Sequence, residues 1–158
     1  MAMRSLLILL ISLICLNGCA GSASARVGQA APEIAAGKWL NSKPLTLAGL
    51  RGKVVVVEFW ATWCGPCRQS IPHLKEINAK YSPKGLTLVS LTSEHPDAVE
   101  PFVKEMAMDY PIGIDSPTAS TYGVQGIPYA VVVDKAGKIA WEGHPMSGLE
   151  QAIEAALK

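Results

Sequence analysis

The sequence has little of what several common classes of protein require. Its three histidines do not stand at metal-ligand spacing, so a closed tetrahedral site would be short of ligands. The 14 lysines and arginines almost balance the 13 acidic residues, which leaves no excess of positive charge for a nucleic-acid-binding face. Only four cysteines occur in 158 residues, and there is no internal repeat. We therefore expect one domain with no bound metal and no nucleic-acid partner.

The longest hydrophobic run lies at the N-terminus and is too short to span a bilayer as a permanent helix. Arg4 precedes it, and uncharged apolar residues then run from Leu6 to Leu16, the length expected of the apolar part of a signal peptide. An N-terminal core helix is the alternative. We disfavour it because the run is apolar on all sides and leads into "NGCAGSASA". The mature domain is therefore expected to lie outside the cytoplasm.

Two cleavage sites fit this leader. Ala23 to Ala25 follow the small-residue pattern of ordinary secretion. Leu16 to Cys19 resemble the lipobox of bacterial lipoproteins, in which the cysteine becomes the lipid-bearing first residue, and we favour this interpretation. Cys19 would then hold the protein to a membrane on the periplasmic or cell-envelope side. The predicted organisation is a lipoprotein-type signal peptide over residues 1–18, a flexible tether over 19–31 and one domain over 32–158.

Two cysteines remain for the folded domain, Cys64 and Cys67, because Cys15 lies in the leader and Cys19 is assigned to the anchor. A structural disulfide is the usual explanation of paired cysteines in an exported protein. A loop closed over two intervening residues constrains the unfolded chain little, so this bond would stabilise the fold poorly. A redox role explains the pair better.

Hydrophobic patterns in the domain predict an α/β fold, a mixed central sheet flanked by helices. The run "KVVVVEFW" is typical of a strand that is buried on both faces. Ser147 and Glu150 form a capping-box pattern at the start of the last helix. The predicted elements are an N-terminal hairpin (37–53), a strand (53–60), a helix (67–81), a strand (85–92), a helix from near 97, a short strand (110–114), a short helix or turn (117–124), a hairpin (129–143) and a C-terminal helix (147–158).

The motif Cys64-Gly65-Pro66-Cys67 stands where a strand ends and a helix begins. Unpaired N–H groups and the macrodipole at a helix N-terminus favour negative charge, and the thiolate is the reactive form of cysteine. Proline suits the first helical turn, where its missing N–H would have no partner. A spacing of three residues places both sulfurs on one side of that turn. We predict that Cys64 attacks a substrate disulfide and that Cys67 then displaces the substrate.

The stretch "EFWATWCGPC" closely resembles the active-site signature of the thioredoxin superfamily. Pro72 matches the helix-kinking proline of that family, and "GIP", ending at Pro128, matches its cis-proline loop. The opening of the domain, together with an extra helix and strand at 96–114, is similar to the TlpA/ResA-type branch of exported, membrane-tethered proteins. Ser70 and Tyr129 depart from the family pattern, which often has glutamate and threonine at these two places.

The resemblance implies a thioredoxin fold with an αβ insertion and a thiol–disulfide oxidoreductase activity. No cofactor is implied beyond the redox-active Cys64–Cys67 disulfide. The Gly-Pro dipeptide resembles that of reducing thioredoxins, so we expect a reductase of protein disulfides. By family analogy, a membrane thiol-transfer reductase supplies electrons, and oxidised periplasmic proteins are the substrates. Apocytochrome c is one such substrate, which would give the protein a role in cytochrome c maturation. We expect a monomer.

Further residues receive roles in this scheme. Glu58 stands among valines, where burial would raise its pKa, and we predict that it accepts the proton of Cys67. The alternative is that Glu58 points outward near a strand edge. A cis peptide before Pro128 would leave the backbone of Ile127 free to pair with an extended substrate. The residues assigned to substrate binding are Trp63, Gly65, Pro66, Ile127 and Pro128.

Two other functions stay open at this stage. A thiol peroxidase would share the N-terminal hairpin, but Thr62 is separated from Cys64 by Trp63 alone, which does not match the threonine of such enzymes. A non-enzymatic metallochaperone would space its cysteines by three residues and add a histidine. Neither pattern is present in the motif itself.

Overall fold

A mixed sheet of six strands, in the order β1-β4-β3-β2-β5-β6, forms the centre of the computed structural model, which describes residues 26–158. This agrees with the predicted α/β class. The strands are β1 (Lys38–Leu40), β2 (Val54–Phe59), β3 (Leu86–Leu91), β4 (Ile112–Ile114), β5 (Tyr129–Val133) and β6 (Ile139–Gly143). The helices are α1 (Gly65–Tyr81), α2 (Pro96–Glu105), α3 (Thr118–Thr121) and α4 (Leu149–Leu157), with 3-10 turns at Ala48–Leu50 and Ser82–Lys84.

β2 lies in the middle of the sheet and is buried along its whole length. It pairs in parallel with β3 and antiparallel with β5. Its β-branched residues suit a strand that packs on both faces, because successive side chains point to opposite sides. β2 therefore delivers the residues that follow it, up to Cys64, to one end of the sheet.

The two faces of the sheet carry different layers. The face of Val54, Val56 and Glu58, which we call the helix face, packs against α1, α2 and α4. The face of Val55 and Val57, which we call the cover face, packs against the first 3-10 turn, the end of α3 and the N-terminal segment. Helical elements thus flank the sheet on both sides, with the three longer helices on one of them.

The predicted N-terminal hairpin is wrong in its pairing. β1 pairs antiparallel with β4, with Lys38 opposite Ile114, and residues 45–47 form no strand. Leu47 instead packs into the cover face ahead of the 3-10 turn. Turn residues around Pro44 suggested a local hairpin, but the partner of β1 lies more than seventy residues away along the chain.

The predicted capping box is also wrong. Gly148, with a φ of 82°, is the N-cap of α4, and no side chain caps this end. The carboxylate of Glu150 is not free to do so, because it accepts hydrogen bonds from Lys80 and Tyr81. Glu150 therefore joins α4 to the end of α1.

Residues 26–31, which the sequence analysis assigned to the tether, run beside β6, with a bridge between Ala30 and Lys138. The signal peptide, Cys19 and the small-residue stretch after it lie outside the described residues. Between residues 26 and 158, no helix is long and apolar enough to cross a membrane.

Candidate active site

Cys64 and Cys67 form a disulfide at the N-terminus of α1, with their Cα atoms 5.2 Å apart. Cys64 is the N-cap residue, and the backbone N–H of Cys67 donates to its Sγ over 3.2 Å. Pro66 occupies the first turn, where a missing N–H costs nothing. A Cβ atom at Gly65 would meet no other atom within 4 Å, so the surface beside the motif is open, while Cys64 itself is only 4% exposed. The helix end that the sequence predicted for the motif is present.

The cis-proline loop closes over the disulfide. The Ile127–Pro128 peptide is cis, as predicted. The carbonyl oxygen of Ile127 lies 3.8 Å from Sγ of Cys64. This contact arises because β5 starts directly after Pro128 and pairs with β2, with Tyr129 opposite Phe59. The structure thus brings Ile127, Pro128 and the cysteines together.

Two large hydrophobic side chains are exposed at this end of the sheet. Trp63, predicted from the sequence, is 74% exposed beside Cys64. Met146 is 53% exposed and was not predicted. Met146 lies in the loop that follows β6. The last residue of β6, Gly143, pairs with Ala130 near the start of β5, so this loop begins at the same end of the sheet as the cis-proline. Its only sequence signal was an apolar residue in a polar loop.

Glu58 is 1% exposed and points into the helix face, which excludes the outward-facing alternative. Burial raises the pKa of Glu58 to about 8, an effect that the nearby Ser90 hydroxyl partly opposes. Ser90 is directly opposite Glu58 on β3. Cys67 belongs to the same packed cluster on this face. The carboxyl group and the second thiol therefore share one buried region.

Other polar atoms share this region without partners. The hydroxyls of Ser90 and Tyr110 and the indole N–H of Trp60 are buried, and none has a hydrogen-bond partner among residues 26–158. Tyr110 lies close enough to Glu58 for the negative charge of that carboxylate to raise the pKa of the phenol, although burial is the larger cause. A fully buried carboxyl group beside the hydroxyls of Ser90 and Tyr110 is unusual in a protein interior, which makes this region a candidate functional site.

Glu94 is a further residue that sequence reasoning missed. Its carboxylate accepts hydrogen bonds from the backbone N–H and the hydroxyl of Thr62, each over 2.7 Å, and from the hydroxyl of Thr92 over 3.1 Å. Thr62 lies two residues before Cys64, so Glu94 fixes the loop between β2 and the disulfide. Its place just after a strand was the only signal.

The contacts given for His95 and His144 do not involve the disulfide. Nδ1 of His95 lies 2.9 Å from Asp115, and Nδ1 of His144 accepts the backbone N–H of Met146. Within residues 26–158, no three His, Cys, Asp or Glu side chains are grouped as metal ligands.

Comparison with known proteins agrees with this geometry. The redoxin family model matches residues 26–157. Thiol-disulfide oxidoreductase ResA of Bacillus thuringiensis (strain Al Hakam) is 35% identical over 117 residues, covering 72% of this chain and 67% of that protein. ResA of Geobacillus thermodenitrificans is 32% identical over 116 residues, covering 72% of this chain and 66% of that protein.

Solved structures give the same result. The crystal structure of a candidate thiol:disulfide interchange protein DsbE from Chlorobium tepidum has a TM-score of 0.73 and 33% identity, and covers 84% of this chain and 98% of that one. A thioredoxin family thiol:disulfide interchange protein from Chlorobium tepidum TLS has a TM-score of 0.69 and 28% identity, with coverages of 86% and 100%. The chain therefore belongs to the redoxin family: it is a thiol–disulfide oxidoreductase of the TlpA/ResA type with a thioredoxin-like fold.

Proposed function

We propose that this protein reduces the disulfides of other proteins outside the cytoplasm, by dithiol–disulfide exchange at Cys64 and Cys67. The observation that carries the proposal is the position of Cys64 Sγ, which receives the N–H of Cys67 and faces the carbonyl of Ile127. A donor N–H at a helix N-terminus stabilises the thiolate that the reduced enzyme needs. The adjacent cis-proline loop offers backbone groups to a substrate.

The exchange transfers two electrons in two steps. The thiolate of Cys64 attacks one sulfur of the substrate disulfide, the S–S bond breaks, and the other substrate sulfur leaves and takes up a proton. Cys67 then loses its proton and attacks Sγ of Cys64. This second attack forms the Cys64–Cys67 disulfide and releases the second substrate thiol. A dithiol donor must then reduce the enzyme again, and a membrane thiol-transfer reductase fits that need.

Glu58 is proposed to accept the proton that Cys67 loses. Its buried position on the same face as Cys67 supports the role. A pKa of about 8 is close to that of an ordinary thiol, about 8.5, so proton transfer between the two groups costs little.

Substrate binding is proposed along the disulfide and the cis-proline loop. Ile127 lies against Cys64, and an extended substrate segment fits here as an added strand. Exposed Trp63 provides an apolar wall, while Gly65 and Pro66 leave the approach to the sulfurs open. Oxidised extracytoplasmic proteins, apocytochrome c among them, are the proposed substrates, and acylation of Cys19 is the proposed anchor.

The test is reduction of insulin disulfides by the full chain, followed by turbidity, with dithiothreitol as the electron source. We expect Cys64→Ser to abolish turnover and Cys67→Ser to accumulate mixed disulfides that mass spectrometry detects. Cys19→Ser, a cysteine outside the motif, is the matched control and should retain turnover. If either Cys64→Ser or Cys67→Ser keeps normal turnover, the scheme is overturned. A reduction potential near that of thioredoxin, about −270 mV, would support the reductase direction, and one near that of DsbA, about −120 mV, would contradict it.

A further inference from the structure

The first described residues run antiparallel to β6 along its outer edge. The N–H of Gly28 donates to the carbonyl of Ile139 over 2.8 Å, and the N–H of Ala31 donates to the carbonyl of Gly137 over 3.0 Å. A bridge joins Ala30 and Lys138 between these two bonds. Because the two segments are antiparallel, the chain followed backwards to Arg26 advances in the direction in which β6 runs.

That direction leads to the end of the sheet that carries the disulfide, which we call the redox end. β6 finishes with Gly143, which pairs with Ala130 near the start of β5. β5 starts directly after Pro128, and Ile127 in the same loop lies 3.8 Å from Cys64. Arg26, the first described residue, therefore lies at the redox end.

Arg26 is fixed at this point by a set of contacts that we call the Arg26 clasp, made with Tyr122, Tyr129 and Glu142. The guanidinium pairs with the carboxylate of Glu142, donates to the carbonyl of Tyr122 and lies 3.2 Å from the hydroxyl of Tyr129. It also stands 6.0 Å from the centre of the Tyr122 ring. The Glu142 side chain is 4% exposed, so this is a shielded ion pair that solvent screens less than a surface pair.

The charge of Arg26 is well supported by its surroundings. Burial alone would lower the pKa of Arg26, but the hydrogen bonds to Glu142 and Tyr129 outweigh it, and the pKa is raised. Tyr129 directly follows the cis-proline. The clasp therefore joins the first described residue to the first residue of the strand that holds the redox loop in place.

The length of chain before the clasp limits how the domain can stand on a membrane. Seven residue steps separate Cys19 from Arg26, and a fully extended chain covers at most about 3.6 Å per step, or about 25 Å in all. A domain of this size has a diameter of about 35 Å. To turn the redox end away from a bilayer that holds Cys19, the chain would have to run past the whole domain. It is too short for that.

We propose that the Arg26 clasp fixes the exit of the membrane tether at the redox end, so that the disulfide faces the bilayer and exchanges with a membrane protein whose reactive dithiol lies within about 25 Å of its surface. This inference rests on the proposed function and on the proposed anchor at Cys19. In the exchange, a partner thiolate attacks Cys64, the Cys64–Cys67 bond breaks, and Cys67 takes up a proton. The second partner thiolate then displaces Cys64, which leaves the partner as a disulfide and this protein as a dithiol.

The side chains exposed at the redox end suit this placement. Trp63 is the most exposed large hydrophobic residue among residues 26–158, and Met146 is exposed on the neighbouring loop. Tryptophan is enriched at membrane–water interfaces, where its ring meets the headgroups. Methionine adapts its shape to an apolar partner surface. Trp63 is adjacent to Cys64 in the chain, and Met146 follows the end of β6 at the same end of the sheet.

The test measures which end of the domain is nearer the bilayer. The full chain, purified with its lipid, is placed in vesicles of phosphatidylethanolamine and phosphatidylglycerol that carry rhodamine on a fraction of headgroups. Two labelled proteins are compared. In the first, the Cys67→Ser variant, a donor dye is attached to Cys64. In the second, Cys64 and Cys67 are both changed to serine, and the dye is attached to the cysteine introduced by Lys84→Cys. Lys84 lies in the 3-10 turn just before β3, next to the start of β2 and thus at the opposite end of the sheet.

We expect energy transfer from the dye at Cys64 to be at least twofold more efficient than from the dye at Lys84→Cys. Equal or reversed efficiencies would overturn the inference, as would a full chain that does not attach to the vesicles. Insulin reduction by the unsubstituted, unlabelled full chain in the same vesicles keeps the two proposals apart: if that protein reduces insulin while the transfer result is reversed, the orientation fails and the proposed function stands.

The clasp itself is tested by Arg26→Ala in the same assay. Without the clasp, the tether gains the length of the released segment, so the difference between the two dyes should shrink by at least half. Arg51→Ala is the matched control, because the Arg51 side chain contacts the carbonyl of Ala136 far from the redox end. An unchanged difference in Arg26→Ala, or an equal loss in Arg51→Ala, would contradict a role for the clasp.

Discussion

The helix face and the cover face are built from the same valine-rich strands, yet they differ at one level of the sheet. On the helix face, the buried carboxyl of Glu58 lies opposite the Ser90 hydroxyl. On the cover face, the neighbouring residue of the same strand, Val57, lies between Val89 and Val131. Both faces exclude water, but among the described residues only the helix face encloses a carboxyl group, whereas the cover face buries the phenol of Tyr122. Packing at this level of the sheet therefore does not require a carboxyl group, which supports the proposed role of Glu58 in the reaction.

The glutamate of the cover side, Glu33, sharpens the contrast. Its carboxylate accepts the N–H groups of Ile34 over 2.9 Å and Ala48 over 3.1 Å, and also that of Leu47. Burial would raise the pKa of Glu33, but these hydrogen bonds and the charge of Arg51 outweigh it and lower the pKa. One glutamate is thus charged and tied to the backbone, and the other is held neutral in the core. Opposite pKa shifts predict opposite responses to pH.

The largest effect should come from placing a carboxylate on the cover face. Val57 is completely buried among apolar side chains, so Val57→Glu offers its carboxyl no polar partner. We expect a loss of more than about 4 kcal/mol in the free energy of unfolding, enough to prevent folding near neutral pH. Urea unfolding followed by circular dichroism measures this. Val57→Ala is the control and should cost about 2–3 kcal/mol. A Val57→Glu protein as stable as the control would show that the two faces do not differ as described.

The next effect should come from Glu58→Gln, which removes the ionisable group on the helix face. The carboxyl loses its proton near pH 4.5 when unfolded and near pH 8 when folded. Between these values the folded state binds more protons, so the native protein loses stability as pH rises, by roughly 3 kcal/mol between pH 4.5 and 7. We expect this slope to be absent in Glu58→Gln, which should be the more stable protein at pH 7.

The measurement is urea unfolding of the oxidised protein from pH 4 to pH 9, with the exposed Glu105→Gln as the control that keeps the slope. The same variant tests the proposed proton acceptor. In stopped-flow experiments, the step in which Cys67 releases the substrate should lose a pH dependence centred near 8. If both the stability slope and the kinetic profile are unchanged, Glu58 does not titrate as proposed.

This contrast could be predicted only in part from the sequence. The valine run predicted a strand buried on both faces, and the position of Glu58 within it predicted an inward carboxyl. The CGPC motif and the Gly-Ile-Pro loop were recognisable because their chemistry lies in contiguous residues. What surrounds Glu58 could not be predicted, because Ser90 and Tyr110 reach it through strand pairings that are distant along the chain.

The wrong hairpin has a similar cause. β1 pairs with β4 at Gly113, where an added Cβ would lie 2.5 Å from Leu91 Cδ2 and 2.9 Å from the Cβ of Ala36. The absence of a side chain at Gly113 allows the N-terminal segment to pack this closely. No local pattern around β1 reveals that requirement, whereas turn residues nearby suggested a local partner.

The smallest effect should come from Glu33→Gln, and its dependence on pH should be opposite to that of Glu58→Gln. A carboxylate with a lowered pKa stabilises the fold above its unfolded value of 4.5, and this contribution is lost as pH falls through the folded pKa. Because Glu33 is exposed, solvent screens its charge, and we expect a loss of only about 1 kcal/mol at pH 7. The difference from the native protein should vanish in acid, and the exposed Glu76→Gln should show no such trend. Relative to the native protein, Glu58→Gln is expected to gain stability as pH rises from acid to neutral, and Glu33→Gln to lose it. If Glu33→Gln also gained stability, the two carboxyl groups would have the same kind of environment, and the distinction between the faces would fail.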